Sequence, residues 1–263
     1  MHWNASKSRY TLAIVHPVIL RGFLNSTESL IAPQKMKCRV SQVNQKLPFK
    51  SPSKILIAII TCKQNADRVL AQQDTWIPRA IVAGYDVQIF DGERLGLPDD
   101  YYSLVQKTQA VCRWALMQGY VRMLKVDDDC CIRVNQFRPS RHDYAGIFVP
   151  ASDAGSCIVP PTVPAKPKGT YPYNYAAGGA YWLSRKAMTI VADAQPNGDW
   201  AEDRFVGDTL GKHGILVQRL PGYVLAYGNV PHHWTVLVLT QIPTPLLIRK
   251  AFRFPGDRQR KFR

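Results

Sequence analysis

Three consecutive carboxylates, Asp127, Asp128 and Asp129, close the apolar run "RMLKV". Like charges in a row at the edge of a core are unfavourable until something positive neutralises them, and a bound divalent cation is the simplest such group. Carboxylate oxygens plus water suit a hard ion such as Mn²⁺ or Mg²⁺, which also bridges phosphate oxygens. In an extended segment alternate residues share a side, so Asp127 and Asp129 are expected to face one ion while Asp128 turns elsewhere. A solvated acidic turn is the plainer alternative; against it, the triplet follows a strand-like run and not a polar linker. A second acidic pair, Glu202 and Asp203, opens "EDRFVG". Carboxylates in a first helical turn are ordinary dipole partners, so this pair gains interest only from what the fold brings to it. Gly178 and Gly179, flanked by Tyr175 and Tyr181, permit close backbone approach to a ligand and supply rings that can lie against a sugar face or a base. A tight turn between strand and helix explains the same glycines. In "NVPHHW", His232 or His233 could complete a cation's shell, although paired loop histidines are commonly no more than that.

The elements that must carry these residues follow from periodicity. "KILIAIITC" is a continuous β-branched run of the kind a buried parallel strand needs, and "NADRVLAQQDTW" after it reads as a helix. "YDVQIFDG" is a second strand. Leu104, Thr108, Val111, Ala115 and Leu116 mark one face of a helix that Gly119 terminates, and "VRMLKV" is a third strand. This alternation predicts an α/β layer with parallel pairing, in which ligands bind beyond the carboxyl ends of the strands, where Thr61, Asp91 and the aspartate triplet fall. Residues 150–174 are rich in Pro, Gly and Ser and read as irregular. Ser184 is placed to cap a helix through "RKAMTIVADA", Asp199 and Glu202 have capping-box spacing before another, and "ILVQRL" reads as a final strand.

Charge and composition bound the rest. The chain has 263 residues, 46% hydrophobic content and a formal charge of +15. Residues 1–54 carry +8 and residues 249–263 carry +6, whereas the middle has 18 basic and 17 acidic side chains. Three segments are therefore expected: a basic extension over 1–53, a folded domain over 54–248 and a basic tail over 249–263. Such tails suit an anionic membrane surface, an acidic polymer or nucleic acid, or simply remain solvated. No apolar run reaches the ~20 residues of a spanning helix, so a cytoplasmic or peripherally membrane-associated protein without an anchor is expected. The run "WTVLVLTQIPTPLLI", broken by Gln241, Pro243 and Pro245, reads as one that docks on a membrane without crossing it. The six cysteines lack paired zinc spacing and read as reduced core thiols.

Taken together, these segments resemble the β-1,3-glycosyltransferases of family 31, which include galactosyltransferases, N-acetylglucosaminyltransferases and the Fringe proteins. The resemblance covers residues 54–234. Its blocks are Arg68 with Asp74-Thr75-Trp76; Asp99, Tyr101, Leu104, Lys107 and Thr108; "KVDDD"; Tyr175, Gly178, Tyr181 and Ser184; and Glu202, Asp203, Phe205 and Gly207. Gln73, Ala180, Cys130, Cys131 and Arg204 depart from the pattern, Arg204 standing where a small apolar residue is usual. The resemblance implies a GT-A fold: a Rossmann-like nucleotide-sugar-binding sheet flanked by helices. It further implies an inverting hexosyltransferase that uses a UDP-sugar, transfers galactose or an N-acetylhexosamine to a hydroxyl of a glycan or lipid-linked acceptor, and forms a β-1,3 linkage. Asp203 would be the catalytic base, and Asp127, Asp129 and His233 (or His232) the ligands of Mn²⁺ or Mg²⁺. Thr61, Arg68, Lys107, Asp128, Gly178 and Gly179 would lie on the donor side, Tyr175 and Glu202 on the acceptor side.

Two other classes compete. A non-catalytic sugar or sugar-nucleotide binding protein would keep the fold, but retention of Asp203 together with the triplet speaks against it. A nucleic-acid-binding protein is suggested by net charge alone and weakened by the near-neutral middle. A third possibility, a nucleotidyltransferase using the same cation chemistry, would need a phosphate-cradling glycine loop that this sequence does not show.

Overall fold

The computed structural model describes residues 54–152, 171–196, 200–225, 238–240, 242 and 244–252. Strands β1 (Ile55–Ile60), β2 (Asp86–Phe90) and β3 (Arg122–Asp127) pair in parallel in the order β2-β1-β3. Between β1 and β2 run helices α1 (Ala66–Gln73) and α2 (Ile77–Val82); between β2 and β3 run α3 (Gly92–Leu95) and α4 (Leu104–Met117). Strands β1 to β3 and helices α1 and α4 match the expectation from periodicity, and α2 and α3 add to it. Leu56, Ile57, Ala58 and Ile59 are wholly buried, as a strand covered on both faces requires. Gly119, at φ +80°, takes the left-handed conformation that ends the α4 segment.

Beyond β3 the sheet departs from the expected parallel layer. After the short β4 (Cys131–Ile132) and β5 (Tyr144–Val149), the stretch expected to be a glycine turn is a ten-residue strand, β6 (Tyr175–Ser184), pairing antiparallel with both β3 and β5. Its residues are buried on both faces apart from Gly178, and that burial between neighbouring strands outweighs the turn preference of two glycines. Ser184 ends it and caps α5 (Arg185–Asp193), its Oγ accepting the Ala187 N–H at 3.2 Å. Helix α6 (Glu202–Lys212) follows; Asp199, expected to cap it, lies outside the described residues. Of "ILVQRL" only Gln218–Arg219 forms a strand, β7, at the sheet's far edge, and it is not the last one. Strands β8 (Tyr223–Leu225) and β9 (Val238–Thr240) join β4 in a small second sheet.

The large sheet is the middle of three layers. On one face Leu56, Ala58, Met123, Tyr181 and Leu183 pack with α4, α5 and α6. On the other, Ile57, Ile59, Val126 and Trp182 pack with α1, α2 and the small sheet. The last described helix, α7 (Pro245–Phe252), belongs to this second layer. It crosses position 248, buries Ile248, and pairs Arg249 with Asp74 at 2.8 Å. Val238, Thr240, Ile242 and Ile248 are fully buried, so these positions of the apolar run expected to dock on a membrane belong to the core, while Leu246 is 74% exposed. No helix among the described residues is long and apolar enough to cross a membrane. Cys62, Cys112, Cys130 and Cys131 form no disulfide; Cys38 and Cys157 lie outside the described residues.

Candidate active site

The parallel register pairs Ile60 with Asp127, so the residues that leave β1 and β3 emerge side by side. Strand β1 lies between β2 and β3, which makes this the point where the chain's direction of travel across the sheet reverses, the usual crevice for a ligand in an open α/β sheet. Thr61 Oγ1 donates to Asp128 Oδ2 at 2.8 Å, Asn65 Nδ2 donates to the same oxygen at 3.0 Å, and Arg68 Nη1 reaches Asp128 Oδ1 at 3.1 Å. Asp128 is therefore buried and fully answered, and it draws Thr61 and Arg68, both expected on the donor side, into one cluster.

The loop behind that cluster is fixed from below. Lys107, almost wholly buried in α4, bonds Asp99 Oδ1 at 2.6 Å and the Thr61 carbonyl at 3.3 Å. Asp99 also accepts the N–H groups of Gly92 (2.7 Å) and Lys63 (2.9 Å). Lys107 is thus a buttress that ties the ends of β1 and β2 together; it does not itself face the crevice, contrary to the expected donor contact, because its charge is taken up by Asp99.

The aspartate triplet is not the extended segment inferred from its sequence. The strand stops at Asp127, and Cys130 N donates to the Asp127 carbonyl at 3.3 Å, closing a turn. Helix α1 and the residue that precedes α2 hold that turn by its backbone. Gln72 Nε2 bonds the carbonyls of Asp127 (3.1 Å) and Cys130 (2.9 Å), and Trp76 Nε1 bonds that of Cys130 (3.1 Å). Ile242 N bonds the Asp129 carbonyl at 3.0 Å. The turn, not strand alternation, sends Asp128 away from Asp127.

Sequence reasoning missed the group at the centre of the site. Lys125 shares a face of β3 with Asp127 and is 2% exposed. Its Nζ lies 2.6 Å from Asp127 Oδ1, 2.6 Å from the Gly178 carbonyl and 3.4 Å from Glu202 Oε2, with the Tyr181 ring centre at 5.4 Å. Glu202 also accepts from Thr108 Oγ1 at 3.1 Å and from the Tyr181 hydroxyl. Glu202 is therefore an interior counter-ion, not an acceptor contact. The signal was available: a lysine inside an otherwise apolar strand demands a buried anion.

Asp203, half-buried at the start of α6, accepts the Gly178 N–H on Oδ2 at 3.1 Å and the Arg204 N–H on Oδ1 at 2.8 Å. Burial and then the neighbouring charge of Glu202 raise its pKa to about 6. Burial likewise pushes Asp127 above the usual carboxylate range, with Asp129 and Glu202 adding to the shift and Lys125 opposing it. Both shifts share the same causes: burial first, then neighbouring carboxylates around Gly178.

The glycines divide. A Cβ on Gly178 would meet Asp203 and Glu202 at 3.5 Å, ordinary contact, so nothing in the protein demands a glycine there. A Cβ on Gly179 would lie 2.5 Å from that of Thr240, so this glycine serves the packing of β9 against β6 and does not line the crevice. Tyr175 is 2% exposed, seated on Gly207 of α6, and offers no open acceptor platform.

The donor set suits a hard cation in type: Asp127 and Asp129 sit one residue apart on a turn with a deficit of positive charge. No group of three or more His, Cys, Asp or Glu able to hold a metal occurs among the described residues, and His232 and His233 lie outside them. Mg²⁺ and Mn²⁺ at phosphate-transferring sites commonly take one or two carboxylates and fill the shell with phosphate oxygens and water, so two aspartates suffice for the fit.

The chain matches no family model, and no curated protein matches it. Among solved structures it is similar to a glycosyltransferase involved in the glycosylation of the major capsid of PBCV-1. The identity is 12%, the match covers 76% of this chain and 98% of that one, and the TM-score is 0.48.

Proposed function

We propose that the protein is an inverting, metal-assisted glycosyltransferase that moves a hexose, galactose or an N-acetylhexosamine, from a UDP-sugar to a hydroxyl of a glycan or lipid-linked acceptor, forming a β-1,3 linkage. The observation that carries this reading is the placement of Asp203, a carboxylate with its pKa raised to about 6, one peptide away from the Asp127 end of β3 at the sheet's switch point. A base poised near neutrality is what removal of a hydroxyl proton needs.

In this reading Asp203 accepts the acceptor hydroxyl's proton as the oxygen attacks the anomeric carbon. The new C–O bond forms on the face opposite the breaking bond to the β-phosphate oxygen, and UDP leaves with the electron pair. Asp127 and Asp129 would hold Mn²⁺ or Mg²⁺, which would supply positive charge for the departing diphosphate. Arg68, one Nη1 on Asp128 and about a quarter exposed, directs its remaining donors to the donor side. Lys125 keeps Asp127, Gly178 and Glu202 in register, and Lys107 keeps Thr61 in place. Residues 249–263 are read as a basic contact for an anionic membrane carrying the acceptor; flotation with anionic liposomes at low salt checks this, and absence of flotation removes it.

The transfer reading is tested by calorimetric titration of UDP and a panel of UDP-sugars with Mn²⁺ or with EDTA, alongside Asp129→Ala. Binding that needs both the ion and Asp129 is expected. Equal binding in EDTA, or none at all, would sink the metal-dependent donor site.

A further inference from the structure

The residue after the proposed base is Arg204, and its side chain is buried without a counter-ion among the described residues. Among the described residues Lys107 and Lys125, the other deeply buried cations of this region, each bond a carboxylate. Arg204, 5% exposed, bonds none: its Nε and Nη2 are sealed from solvent and find no hydrogen-bond partner. Asp208, one turn further along α6, lies with Lys212 at 2.6 Å instead.

Its setting is built, not incidental. Tyr171, Tyr173 and Tyr175 alternate along the approach to β6 and present their rings to one face of α6, the face of Arg204, Gly207 and Gly211. A Cβ on Gly207 would lie 2.4 Å from that of Tyr175, and one on Gly211 would lie 2.2 Å from Cγ of Tyr173, so the absence of both side chains is what lets the rings close on the helix. The Arg204 guanidinium then lies over the rings of Tyr175 at 5.3 Å and Tyr171 at 5.8 Å. Ring faces stabilise the cation but do not accept its in-plane N–H groups. Desolvating a guanidinium and leaving that edge unanswered is costly, and buried donors without partners are rare enough in folded proteins to need a reason. A planar fork of unfilled donors matches an anionic group of two or more oxygens.

We propose that Arg204 is a specificity-determining residue that receives an anionic substituent of the acceptor, a carboxylate, sulfate or phosphate, one position along the helix from the base. The proposal rests on the transfer reading for its word "acceptor", but the anion site itself does not.

Two measurements separate those claims. In the first, glucuronic acid, glucose, inorganic sulfate and inorganic phosphate are titrated calorimetrically into the intact protein and into Arg204→Gln and Arg204→Lys. At least one of the anions should bind the wild type more tightly than glucose, weaken about tenfold or more in Arg204→Gln, and recover in part in Arg204→Lys, which keeps the charge but not the fork. In the second, the wild type alone is offered acceptor glycosides in matched pairs, a uronic acid against its methyl ester and a sulfated sugar against its parent. A preference of about ten- to a hundredfold in kcat/KM for one anionic member is expected, and which pair shows it identifies the anion. Anion binding without UDP binding would leave the site and remove the transfer reading. Working transfer with equal use of both members of every pair, or anion affinity unchanged in folded Arg204→Gln, would overturn the proposal.

Discussion

The two ends of the aspartate turn solve the same electrostatic problem in different ways. At the β1 end, Asp128 is met by Thr61, Asn65 and Arg68, and the cluster closes on itself. At the β6 end, Asp127, Asp203 and Glu202 share one lysine, with Asp129 close enough to add to the strain on Asp127. The first region is a finished piece of structure. The second is short of positive charge, and burial followed by the nearby charge of Glu202 gives Asp203 its raised pKa.

If that contrast is functional, the largest single effect belongs to Asp203→Asn. Turnover should fall by about two to four orders of magnitude while UDP affinity and thermal midpoint stay close to wild type; single-turnover kinetics beside calorimetry make the comparison. Unimpaired turnover would transfer the base role elsewhere and leave the carboxylate cluster without its chemistry. Next in size is Lys125→Met, which leaves buried Glu202 and the partly exposed Asp127 without their cation. A loss of about 3–5 kcal/mol in denaturant unfolding is expected, because breaking a buried pair exposes the full cost of the remaining charge. In the finished region, Arg68→Gln should cost about 1 kcal/mol or less, since that side chain is partly solvated and Asp128 keeps Thr61 and Asn65. A loss from Arg68→Gln as large as that from Lys125→Met would erase the distinction between the two ends.

The smallest effect is in the pH dependence, and its two signs differ. The folded pKa of Asp203, about 6, lies above the ordinary carboxylate value, so the folded state binds the extra proton between roughly pH 4 and 6. Its contribution to stability is present at low pH and is lost as pH rises through about 6. Activity should move the other way, rising through the same window as the base deprotonates. Thermal melts and rate profiles between pH 4 and 8 test both. Added Mn²⁺ should offset the loss of stability at the upper end, in proportion to its binding.

The parallel half of the sheet could be read from the chain because its signals are local: the β-branched run of β1, the 3.6-residue period of α4, and Gly119 and Ser184 at helix boundaries. Strand β6 could not. Two adjacent glycines are a turn signal to any local argument, and only the pairing of β3 and β5 on either side, with Thr240 pressed on Gly179, makes them strand residues. The acidic site residues were visible as residue types, but their division of labour was not. Glu202 and Asp203 are neighbours in sequence, and helix geometry sends one inward to Lys125 and Tyr181 and the other to Gly178. Lys125 itself stood in plain view inside "KVDDD" and was read as part of a motif, when its place on the same strand face as Asp127 already required a buried ion pair.

The backbone of Gly178 does two jobs at once: its N–H holds Asp203 and its carbonyl holds Lys125, which in turn holds Asp127. The spacing between Asp203 and Asp127 is therefore gauged through the backbone of one strand residue and the buried Lys125 side chain, at a point of β6 that falls outside its residue pairs with β3 and β5. Such a ruler does not lengthen when the acceptor loops are rebuilt. The surfaces that choose a substrate are free to vary around a reaction geometry whose spacing is set elsewhere.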